Sequence, residues 1–155
     1  MKSFNVFGDV SFEFDDTDPE GYKAAMNRFG PKLGATRIGC SVYEIPPGQS
    51  LCPYHWETEE EWLLVISGEL TLRHPDGEDV LKPGDVVAFA DNETGAHKTT
   101  NKGSEPVRLM MWSTKDRAGF CVYPDSDKTL HFQEGAKGRI YGLGPELDYY
   151  AGETP

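Results

Sequence analysis

Seventeen Gly and eleven Pro cut this chain into short apolar runs at fairly regular intervals, and that punctuation constrains its fold more than any other feature. Short runs bounded by turn residues read as strands of an all-β sandwich or barrel, not as helices. Phe4–Phe14, with Val10, Phe12 and Phe14 alternating against Ser11 and Glu13, is expected to form an N-terminal strand. Asp18-Pro19-Glu20 reads as a helix start, with Asp as cap and Pro at the first helical position. A short helix is therefore expected over Tyr22–Phe29, ended by Gly30-Pro31. Further strands are expected over Thr36–Ile45, Trp62–Ile66, Glu69–Arg73, Val80–Leu81, Val86–Phe89, Ala96–Asn101, Pro106–Thr114 and Phe120–Tyr123. Pro46-Pro47-Gly48, His74-Pro75-Asp76-Gly77 and Lys82-Pro83-Gly84-Asp85 supply turn chemistry between them. The expected organisation is an arm and short helix over 1–35, a β body over 36–123 and an irregular tail over 124–155 lying on that body. At 155 residues these make one domain, large enough to fold without a disulfide or metal staple.

Charge narrows the partners. A formal net charge of -11 argues against nucleic acid and anionic membranes, which are held through Lys/Arg clusters. No window approaches the length of an apolar membrane span, and Met1–Phe7 lacks the apolar core of a signal peptide. Cys40, Cys52 and Cys121 are an odd set without zinc or redox spacing, which suits a reducing compartment, so a cytoplasmic location is expected.

The chemistry concentrates in Cys52-Pro53-Tyr54-His55-Trp56-Glu57-Thr58-Glu59-Glu60-Glu61-Trp62, which runs directly into the apolar Leu63–Ile66. On a strand His55 and Glu57 share a face, because side chains alternate with period 2. A hairpin can fold Glu61 back towards them, and a later stretch supplies His97. Glu59 and Glu60 read as solvated. Cys52 reads as a small buried hydrophobe, Tyr54 and Trp56 as packing residues, and Asn101 as a turn maker. Arg108, Met110 and Trp112 share one strand face and Val107, Leu109 and Met111 the other; either face can turn inward. His74 falls in a turn and His131 in the tail, and neither is assigned a role.

These residues fall in an order that resembles the cupin superfamily. That family's first motif is Gly, a spacer, His-x-His, three or four residues, Glu, six residues, Gly. Here it runs Gly48, His55-x-Glu57, three residues, Glu61, six residues, Gly68. The second motif corresponds to Gly84, Ala90, Gly95, His97 and Asn101. The segments Tyr123–Lys128 and Leu147–Tyr150 are similar to a subgroup of small single-domain cupins. Two departures stand out: Glu57 replaces the second His, and Ala90 replaces the motif Pro ahead of a longer Asp91–Thr94 loop. The resemblance implies a double-stranded β-helix, or jelly-roll, barrel. It also implies metal ligation by His55, Glu57, Glu61 and His97.

Elementary electrostatics agrees with a cation. Two carboxylates turned into one interior repel and are desolvated, and a divalent ion relieves both costs. Mixed imidazole and carboxylate ligation suits Fe, Mn, Zn, Ni or Co. Glu57 is either a ligand or a catalytic general base beside the metal. The expected function is a small-molecule metalloenzyme of oxygenase or isomerase type. The alternatives are a non-catalytic binding or sensing module and a plain scaffold. A homodimer is expected, with Phe4–Phe14 as the exchanged arm.

Overall fold

The computed structural model describes residues 1–154 and is all-β. Twelve strands follow in order: β1 (Ala25–Arg28), β2 (Ile38–Ile45), β3 (Trp56–Glu57), β4 (Glu61–Ser67), β5 (Leu70–His74), β6 (Gly77–Leu81), β7 (Val86–Phe89), β8 (Lys98–Thr100), β9 (Val107–Thr114), β10 (Ala118–Tyr123), β11 (Lys128–Gln133) and β12 (Arg139–Gly142). They pair into a five-stranded sheet ordered β1-β2-β9-β4-β7, a four-stranded sheet β12-β11-β10-β3 and a three-stranded sheet β6-β5-β8. Among the described residues these three sheets do not close into the single barrel expected from the sequence.

The main core lies between the five- and three-stranded sheets. Ile45, Leu63, Val65, Val107, Leu109 and Met111 on one side meet Leu70 and Leu72 on the other, with Phe89 at the edge. Alternation along β9 decides its open question: Val107, Leu109 and Met111 are buried, while Arg108 turns away to bind Glu44 and the Gly8 carbonyl. The register of β4 against β9 shifts between Val65 and Ser67. Gly68 follows at φ 80, where an added Cβ would stand 2.9 Å from the Val107 side chain. Both the left-handed backbone and the close approach demand glycine there.

Three expectations are corrected. Tyr22–Phe29 is not a helix. Ala25, Asn27 and Phe29 are buried in alternation, and β1 pairs with β2. The period-2 signal is masked because a polar residue, Asn27, takes an inward position, its amide donating to the Ser11 carbonyl at 2.6 Å. The helical turn falls later, at α1 (Gly30–Leu33), with Pro31 in its first turn and left-handed Gly34 ending it. Phe4–Phe14 forms no strand beyond a bridge of Glu13 to Met26; a turn occupies Asn5–Gly8, and Phe14 is exposed. The tail is not wholly irregular. β11 and β12 extend the sheet of β10 by backbone pairing, with so few buried side chains that no apolar pattern announces them.

Asn101 is fully buried and ties three loop groups together. Its amide nitrogen donates to the Ile45 and Glu105 carbonyls, both at 2.8 Å, and its Oδ1 accepts from Gly103 N–H at 2.9 Å. Asn101→Ala leaves these groups unpaired and should cost about 3 kcal/mol, lowering the melting temperature by roughly 10 °C. A loss below ~1 kcal/mol in thermal or urea unfolding would show that water replaces the amide.

Candidate metal centre

His55 immediately precedes β3 and His97 immediately precedes β8, and their backbones meet as an antiparallel bridge. His97 N–H donates to the His55 carbonyl at 2.8 Å, and His55 N–H to the His97 carbonyl at 3.0 Å. Residues opposed in this way project side chains to the same side. The two rings lie 4.7 Å apart. Each is then turned by the carbonyl two residues before it: Nδ1 of His55 donates to Pro53 and Nδ1 of His97 to Gly95, both at 3.0 Å. A carbonyl only accepts, so Nδ1 carries the hydrogen and Nε2 presents its lone pair. Phe89 stacks on His97 at 3.7 Å and Tyr123 on His55 at 5.8 Å, which fixes both ring planes.

Glu61 opens β4, opposite Phe89 on β7 and Ser113 on β9. Its Oε2 stands 3.5 Å from His97 Nε2 and 3.9 Å from His55 Nε2. Glu61 Oε2 and His97 Nε2 are buried without a hydrogen-bond partner. Ligand atoms of all three residues lie within 4.8 Å of one another, so the cluster can hold a metal ion. With ligands about 2.0–2.2 Å from a cation, neighbouring donor atoms stand roughly 3–4 Å apart, and both Glu61–His distances fall in that range.

Glu57 stands beside this cluster, not in it. Through β3 it pairs with Cys121 on β10, whose thiol donates to Glu57 Oε2 at 3.1 Å. The four residues singled out in the sequence thus come together as three plus one. Burial, then the Glu57 charge, push Glu61 up to about 8. Burial raises Glu57 too, against the pull of the Cys121 thiol. Burial lowers His55, and burial with its neighbour His55 lowers His97 to about 3, so both imidazoles are neutral. Cys52 is half-buried, its Sγ 3.6 Å from His55 Nδ1, and desolvation raises its thiol so that it stays protonated.

The residues around the cluster that sequence reasoning missed are Cys121, Tyr123, Phe89 and Glu59. Glu59 is not simply solvated: with Glu61 it lines a cavity of about 260 Å³, and its Oε1 accepts from Asp116 N–H at 2.6 Å. Glu60 is exposed, as expected, and accepts from Trp62 Nε1 at 2.7 Å. Only the pairing of β10 with β3 brings Cys121 and Tyr123 near, and no sequence signal carries that pairing. A larger groove of about 1090 Å³ lies over the four-stranded sheet, between Phe120, His131 and Tyr141, and contains none of the cluster.

Without metal, these groups set a pH dependence of folding. His97, lowered towards 3 from an ordinary 6.5, makes stability rise with pH up to about 6.5. Glu61, raised towards 8 from 4.5, keeps its proton in the folded state after the unfolded chain has lost it, so stability falls from about 4.5 to 8. The two oppose below 6.5, and above it only the fall remains, worth roughly 2 kcal/mol by pH 8. Melting in chelator should therefore be lower at pH 8.0 than at 6.5, and Glu61→Gln should reduce the difference, leaving what Glu57 contributes. An equal or higher wild-type melting temperature at pH 8.0 would contradict this assignment of the buried proton.

Comparison with known proteins places the fold. A family model described as the cupin domain matches residues 41–113. The structure is similar to that of a putative sugar phosphate isomerase from Acidithiobacillus ferrooxidans, at 25% identity over 83% of both chains with a TM-score of 0.75. It is also similar to a cupin-superfamily sugar phosphate isomerase from Silicibacter pomeroyi, at 19% identity over 96% of this chain and 98% of the other, with a TM-score of 0.81. The polyketide cyclase RemF from Streptomyces resistomycificus aligns at 19% identity over 75% and 80% of the two chains, with a TM-score of 0.61. Among curated proteins there is no match. The matched segment runs from β2 into β9 and contains both bridged histidines and Glu61, so this part of the chain is similar to the cupin domain.

Proposed function

We propose that this protein is a metal-dependent enzyme of isomerase type, acting on a small carbonyl compound. The observation that carries the reading is the convergence of His55, Glu61 and His97, with Glu61 Oε2 and His97 Nε2 buried and unsatisfied, and with a fourth titratable group, Glu57, beside them. A divalent cation held by the three would polarise a carbonyl or enediolate oxygen as a Lewis acid. The protein's own work is then positioning and proton transfer. His55 and His97 are locked in one tautomer by Pro53 and Gly95, so neither has to reorganise to bind.

Glu57 is left with a different task. Its carboxylate is oriented by the Cys121 thiol and held above the usual carboxylate range by burial. A carboxylate raised above its ordinary value is a stronger base than a free one, suited to removing a proton next to a carbonyl and returning it to the adjacent carbon. The similarity over nearly full length to structures described as sugar phosphate isomerases supports isomerisation over oxygenation.

Protein purified without chelator or His tag should carry about one divalent ion per chain, or take it up from Fe(II), Mn(II) or Zn(II). His97→Ala and Glu61→Gln should lose it. Glu57→Gln should keep metal while slowing solvent-deuterium exchange into a panel of small α-hydroxy carbonyl compounds by roughly 10²–10⁴-fold. Absence of stoichiometric metal after reconstitution would sink the proposal. Metal without exchange into any of the compounds would leave a binding module and remove the enzymatic part.

A further inference from the structure

The cavity that reaches Glu61 contains two cations that the cluster leaves unused. Its lining includes Arg28, Lys115, Ser41, Ser113 and Tyr43, together with Glu59 and Glu61. Arg28 ends β1 opposite Ser41 on β2, and Lys115 follows Ser113 and the end of β9, so sheet pairing holds these groups around one opening. The chain has 26 acidic residues against 15 Lys and Arg, and several of its cations are ion-paired: Arg73 with Asp125, Lys102 with Glu78, Arg108 with Glu44. Arg28 and Lys115 have no ion-pair partner among the described residues. Glu59 feels the Lys115 charge without forming an ion pair with it, and its Oε1 accepts from the Asp116 amide. Two free cations facing one cavity, on a protein that repels anions at long range, make a local anion trap.

We propose that this cavity binds a compact phosphate ester, with Arg28 and Lys115 holding the phosphate while the rest of the molecule extends towards Glu61. The inference rests on the reading of His55, Glu61 and His97 as a metal-dependent reaction site, and names its substrate class. A phosphate dianion offers three acceptor oxygens and a second charge, which a guanidinium, an ammonium and the Ser41 and Ser113 hydroxyls can share; a carboxylate offers two oxygens and a single charge to the same groups. At about 260 Å³ the cavity lies below the ~300–1,000 Å³ of sites for drug-sized ligands, so its occupant is small. Met111 and Trp112 supply an apolar wall along which a short carbon chain can lie.

The test is calorimetric titration of inorganic phosphate, at fixed ionic strength, into metal-loaded and metal-free protein. Phosphate should bind both forms. Arg28→Gln and Lys115→Gln should each weaken binding by ~10-fold or more, as expected for lost charge-assisted hydrogen bonds, and the double variant should abolish it. Both side chains are exposed, so melting temperature and metal content should not change. Arg28→Lys should recover part of the affinity. Phosphate affinity unchanged in both Gln variants, or no phosphate binding by the wild type, would overturn the inference even if metal is bound. Acetate binding as tightly as phosphate would overturn the phosphate class. Phosphate binding that depends on Arg28 and Lys115 in a protein that takes up no metal would support the anion site and sink the metal reading alone.

Discussion

The antiparallel bridge between His55 and His97 is the contact on which the site depends. Two backbone hydrogen bonds, at 2.8 and 3.0 Å, join segments far apart in sequence, neither of which lies in a long strand at that point. Such a closure cannot support its own entropy. The flanking sheets support it: β8 is anchored to β5, and β3 to β10. Once the bridge is made, little freedom is left to the side chains. Both rings bond the carbonyl two residues upstream, Pro53 or Gly95, so tautomer and direction follow from main-chain geometry. Gly95 has a second constraint, since an added Cβ would stand 2.1 Å from the Ala90 carbonyl. The loop that replaces the motif Pro thus needs its glycine for close packing as well as for the carbonyl that orients His97.

Against that rigid frame the carboxylates are a liability. Glu57 and Glu61 are both raised by burial, and Glu61 also by its neighbours' charges. The cluster's lone pairs face one another, with Glu61 Oε2 and His97 Nε2 left unsatisfied. An apolar core elsewhere, built on Leu63, Leu70 and Leu109, offsets the cost of holding them together. The departure from the family's pattern at position 57 belongs to the same balance. An imidazole there would present a third neutral nitrogen. Glu57 instead adds charge, and Cys121 on the neighbouring strand stabilises that charge by donating its thiol hydrogen. The substitution and its partner therefore make sense as a pair, one on β3 and the other opposite it on β10.

Much of this was legible in the sequence, and what was not has a common cause. Turn residues and alternation located β2, β4, β5, β7 and β9 closely, because each of these strands buries apolar side chains. Those residues report their own environment. β1 escaped because Asn27 occupies an inward position, and β11 and β12 escaped because they are held by backbone pairing with almost no buried side chains. Motif spacing brought His55, Glu61 and His97 to notice, since family order encodes their juxtaposition. Cys121 and Tyr123 lie outside those motifs, and only the pairing of β3 with β10 brings them in. Arg28 and Lys115 are exposed cations at strand ends. Nothing local separates them from any other surface charge until the sheet order is known.

That last point bears on how the cavity is assembled. β1 reaches the five-stranded sheet only through β2, and β2 meets β4 only across β9. Arg28 is thus carried to the same opening as Glu61 by two intervening strands, with Ser41 and Ser113 on the way. The other side of Glu61 is built by a different sheet, in which β10 sets Cys121 against Glu57 and Tyr123 against His55. Glu61 is the one residue shared by the buried cluster and the open cavity. Its position makes it the hinge of any chemistry here: whatever occupies the cavity approaches the two histidines past this carboxylate. A charge change in the cavity is therefore felt at the cluster through Glu61 first, over a distance short enough that bulk salt screens it little.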